Sequence, residues 1–85
     1  MEDTRLDIME HVLRKMQDVQ HSQQALVEKI ASIQVELFDH PDKDLETFLE
    51  RILSTTSQGA DLMNEAVEKF EMKVNAEEQG GNRAE

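Results

Sequence analysis

The sequence predicts an all-α protein, a long antiparallel helical hairpin of coiled-coil type, on three observations. Residues 3–39 contain neither proline nor glycine. Within them apolar residues recur at alternating steps of three and four, the rhythm of a helix packed on another helix. A second stretch with the same rhythm comes after Pro41, the chain's only proline.

The first helix is expected over about 4–39. Thr4, with Asp7 three residues on, resembles a capping box, and Met9, Val12, Met16, Val19, Gln23, Leu26, Ile30, Ile33 and Leu37 mark its inner face. At 1.5 Å per residue such a helix is roughly 50–55 Å long, too long for a lone element of a globular core. The turn falls at 40–42, because Pro41 disfavours helix at His40. Asp42, Asp44 and Glu46 then suit the positive end of a new helix dipole. That second helix is expected over about 42–75, with Leu45, Leu49, Ile52, Thr56, Gly59, Met63, Ala66 and Phe70 inward. Residues 76–85, AEEQGGNRAE, have almost nothing to bury and read as a disordered acidic tail. The run from Ser54 to Gly59 is the weakest helical stretch, and a break there would give three helices instead of two.

Partners in an antiparallel hairpin have residue numbers with a constant sum. At a sum of 82 every inner position of one helix meets one of the other, and Gln23 faces Gly59, a long side chain against none. A single polar layer of this kind fixes register at some cost in stability. In the same alignment one flank, made of Leu6, Leu13, Gln20, Val27, Leu53, Ala60, Val67 and Val74, is mostly apolar, whereas the opposite flank with Lys15, Ser22, Lys29 and Glu36 is largely polar. Two helices bury little by themselves, so the apolar flank calls for a partner, and a homodimer forming a four-helix bundle is the expected solution.

Composition narrows the function. Nineteen acidic against nine basic side chains leave a net charge of −10, which disfavours surfaces that bind phosphates, so neither nucleic acid nor an anionic membrane is an expected partner. With no cysteine, thiolate metal sites and thiol nucleophiles are excluded. The acidic start MEDTRLDIME does not resemble a signal peptide, and the expected location is the cytoplasm. Asp7 with His11, and Asp18 with His21, share helix faces, but at outward positions with no second pair to complete a metal site. His40 stands among Asp39, Asp42 and Asp44 without the glycine and spacing of a calcium loop. The hydroxyls of Ser54, Thr55, Thr56 and Ser57 have no histidine beside them to act as a base. No enzyme, cofactor or metal is expected. The leading expectation is a small acidic module that binds another protein as adaptor, chaperone or regulatory inhibitor; the alternative is an acidic mimic of nucleic acid that blocks a DNA- or RNA-binding protein.

Overall fold

The computed structural model describes residues 4–80, which form two helices, α1 (Thr4–Glu36) and α2 (Lys43–Glu78), packed antiparallel. Helix α1 ends three residues earlier than the periodicity indicates. The Leu37, Phe38 and Asp39 amides bond back to the Gln34, Val35 and Glu36 carbonyls, a tightened last turn that spends residues 37–39 on reversing the chain. Asp42 is the N-cap of α2, not its first helical residue: its backbone is extended and its carboxylate accepts the Leu45 amide at 3.1 Å. Pro41 therefore lies just outside the helix.

Helix α2 runs unbroken through Ser54–Gly59, so the three-helix alternative does not occur. Small and hydroxyl residues are tolerated there because tertiary packing on α1 outweighs their weak helix propensity. The helix also continues to Glu78, and Gly80, with a φ of 76°, closes it in a left-handed turn whose amide reaches the Glu77 carbonyl at 3.0 Å. Residues 76–80 are thus ordered into the helix and its cap instead of the expected tail; the rest of that tail, 81–85, lies outside the described residues.

The seam between the helices differs from the sequence reading. In α1 the inward residues are Leu6, Met9, Leu13, Met16, Gln20, Gln23, Val27, Ile30, Gln34 and Leu37; in α2 they are Glu46, Leu49, Leu53, Thr56, Ala60, Met63, Val67, Phe70, Val74 and Glu77. Ile30, Leu49, Val67 and Val74 are its most buried members, at 4–6% exposure. Partners along this seam add to 83. Three contacts across it sit within one residue of that register: Gln20 Nε2 donates to Asn64 Oδ1 at 2.8 Å, Arg5 pairs with Glu77 at 3.3 Å, and the Gln23 amide lies against Gly59.

Candidate functional site

Each helix carries three adjacent apolar columns, each repeating every seven residues, of which the hairpin itself buries two. In α1 the columns through Leu6 and through Met9 are consumed in the seam, and the third, Val12, Val19, Leu26 and Ile33, stays exposed. In α2 the exposed column is Leu45, Ile52 and Ala66, with the half-buried Gly59 between them. These two columns lie side by side on one face of the hairpin, widened by Ile8, Phe48 and Leu62. Leu26, Ile33 and Ile52 are each 45–48% exposed, which leaves about half of every side chain in water.

The burial differs from that of the expected interface: Val67 and Val74 are buried inside the hairpin, and Leu6, Leu13, Gln20, Val27, Leu53 and Ala60 are half-buried along the same seam. The expected inner residues Val12, Val19, Leu26, Ile33, Leu45 and Ile52 are the ones left outside. Both choices obey a three-four rhythm, because any two adjacent columns of the three do. Periodicity thus locates a wide apolar face without saying which part of it the hairpin uses. Polar matching is the signal that distinguishes them: the observed register sets Gln20 beside Asn64 and Arg5 beside Glu77.

The Gln23–Gly59 pairing does hold. A Cβ on Gly59 would stand 3.5 Å from Gln23 Nε2, which is ordinary contact. The other end of the amide fares worse, since Gln23 Oε1 is buried without a hydrogen-bond partner among the described residues. A buried acceptor left unsatisfied costs about 1–3 kcal/mol. Gln23→Leu should therefore raise the unfolding free energy by roughly 1 kcal/mol, or several degrees in Tm for a domain of this size, in a thermal melt followed by circular dichroism.

At the open end of the hairpin Glu10 and Glu78 approach each other on the polar flank. A hydrogen bond that the protonated Glu10 carboxyl donates to Glu78, then partial burial and the Glu78 charge, raise the Glu10 pKa above its ordinary value. A carboxyl whose pKa is raised on folding favours the folded state when protonated, so its contribution grows as pH falls through the folded pKa and is lost as pH rises above it. Amide protection near residues 5–14 and 70–78 should increase modestly on acidification from neutral pH toward the carboxylate range. Hydrogen exchange, corrected for intrinsic rates, checks this, and Glu10→Gln should flatten the dependence.

Other chemistry is sparse. His11, Asp18 and His21 share a shallow depression of about 410 Å³ with Arg14, Lys15 and Gln17 on the outside of α1, and no group of three or more potential metal ligands occurs among the described residues. A second depression, about 350 Å³ beside the turn, is lined by Gln34, Leu37, Phe38, Glu46 and Glu50. No helix among the described residues is long and apolar enough to cross a membrane. Comparison with family models, with curated proteins and with solved structures gives no match.

Proposed function

We propose that this chain is a non-enzymatic protein-binding module of the cytoplasm, an adaptor, chaperone or regulatory inhibitor whose working surface is the apolar face through Val12, Val19, Leu26, Ile33, Leu45 and Ile52. One observation carries the reading: the hairpin buries the more polar choice. Its seam includes Gln20, Gln23, Gln34, Glu46 and Glu77, whereas the outward column of α1 between Val12 and Ile33 is wholly apolar. Either arrangement of two helices leaves six large apolar side chains outside, and each half-exposed Leu or Ile that a partner brings out of water contributes on the order of 1 kcal/mol. The face spans some 32 Å along the rod, from Val12 to Ile33 at 1.5 Å per residue. A contiguous apolar strip of that length supports helix-on-helix docking, which completes a bundle of four helices.

Charge supports the second reading, an acidic mimic of nucleic acid. Five of the nine basic residues, Arg5, Lys15, Lys29, Lys69 and Lys73, border the apolar face; Glu36 stands among them, and Arg5 and Lys69 are ion-paired to Glu77 and Glu65. The opposite flank, with Glu10, Glu50, Glu71 and Glu78, is left strongly negative. The acids are therefore dispersed along the hairpin, with few of them on the rim of the apolar face.

Salt separates the two readings. At about 0.5 M salt the Debye length falls to roughly 4–5 Å, which screens exposed carboxylates and leaves apolar burial intact. Titration calorimetry against the purified cellular partner should show affinity surviving that salt and lost in Ile52→Glu. A fall of several orders of magnitude with salt, together with competition by duplex DNA, would replace the binding module with the mimic.

A further inference from the structure

We infer that the occupant of the apolar face is a second copy of this chain, docked head to tail about a two-fold axis through the layer of Leu26 and Gly59. The inference rests on the reading of that face as the binding surface and names what covers it in the chain by itself, so that a cellular partner docking there displaces the second copy.

Gly59 is the first argument. A glycine within a helix costs about 0.5–1 kcal/mol relative to alanine. Nothing within the hairpin requires it, since the nearest obstacle to a Cβ is Gln23 Nε2 at ordinary contact distance and the backbone is helical. It interrupts the exposed apolar column of α2 at mid-length, where a bare backbone admits a bulky side chain from outside.

Register gives the second. With seam partners adding to 83, Leu26 is level with Gly59, Ile33 with Ile52 and Val19 with Ala66, each to within about 3 Å. The large residues therefore lie toward the turn and the small ones toward the open end. A two-fold axis across the rod at the Leu26–Gly59 layer reverses this gradient in the second copy. Leu26 then meets Leu26 of the second copy over the space left by both glycines, and Ile33 and Ile52 of each chain meet Val19 and Ala66 of the other. These central layers each combine two large side chains with two smaller ones, as even core packing requires.

Charge is the third. The same operation sets Lys15 of each chain opposite Glu36 of the second copy, and Phe48 opposite Lys69. With both turns at the same end, the four isoleucines would stack in one layer, Val19 and Ala66 would make a thin one, and Lys15 would face Lys69.

Because the chain has no cysteine, single-cysteine variants test this geometry cleanly. In the full chain under mild oxidation, Leu26→Cys should form an intermolecular disulfide at least tenfold faster than Ile33→Cys or Val12→Cys, whose equivalents across the axis are separated by about 21 and 42 Å along the rod. Gly59→Leu, which improves helix propensity, should keep the helical circular dichroism and reduce the mass by light scattering from about twice 9.8 kDa to 9.8 kDa. Equal disulfide rates at the three positions, or a Gly59→Leu variant that remains a dimer, overturn the head-to-tail arrangement. A wild-type mass of 9.8 kDa at ~100 µM overturns the second copy as occupant; the reading of the face as a binding surface fails separately, if Ile52→Glu leaves partner affinity unchanged.

Discussion

Val67→Glu unfolds the hairpin. Val67 is 6% exposed in the seam, and the seam is the core that the two helices share. A carboxylate forced into that position without a cationic partner costs several kcal/mol, on top of the lost transfer energy of the valine, about 1.5 kcal/mol or more. Native stabilities are about 5–15 kcal/mol for ordinary domains, and a two-helix unit falls at the low end. The expected outcome is loss of most of the helical ellipticity at 25 °C, with Leu53→Glu, at the neighbouring level of the same seam, showing a smaller effect of the same kind. A chemical denaturation series on Val67→Ala, which should remain folded but weaker by about 2 kcal/mol, keeps the prediction quantitative if the glutamate variant cannot be purified.

Ile52→Glu has the opposite signature. Its side chain is 46% exposed on the outer face, so a glutamate there remains solvated in the isolated hairpin and the helices should stay folded. In an assembly the same carboxylate is buried among apolar groups, which costs several kcal/mol per copy, and a two-fold interface counts the substitution twice. Association weaker by at least two orders of magnitude is expected, read as mass by light scattering with unchanged far-ultraviolet circular dichroism. Gln58→Glu, exposed elsewhere on α2, is the control and should leave both quantities within error.

These two substitutions divide what the amino-acid sequence reveals from what it conceals. The hairpin is legible in physical terms: no breaker precedes Pro41, Asp42 is suited to cap the second helix, and Gln23 lies against Gly59 as the antiparallel alignment indicates. The choice of seam is not. Three adjacent apolar columns offer two equivalent three-four rhythms, and hydrophobicity alone favours the one with fewer glutamines. The structure takes the other, leaving Leu26, Ile33 and Ile52 outside and drawing Val67 and Val74 in. The helix ends escape the sequence for a different reason. Closing the turn consumes residues 37–39, and Gly80 caps a helix that composition alone ends at Asn75.

The claim that the outer apolar face is where this protein associates is tested most directly by methyl NMR with a soluble paramagnetic agent. Uniformly labelled chain at ~100 µM should show the methyl groups of Leu26, Ile33 and Ile52 shielded from the agent nearly as well as those of Val67 and Val74. In Gly59→Leu the three outer residues alone should become accessible. Methyl groups of Leu26, Ile33 and Ile52 that are strongly relaxed in a wild-type sample whose mass has doubled would place the association elsewhere on the molecule and contradict the account.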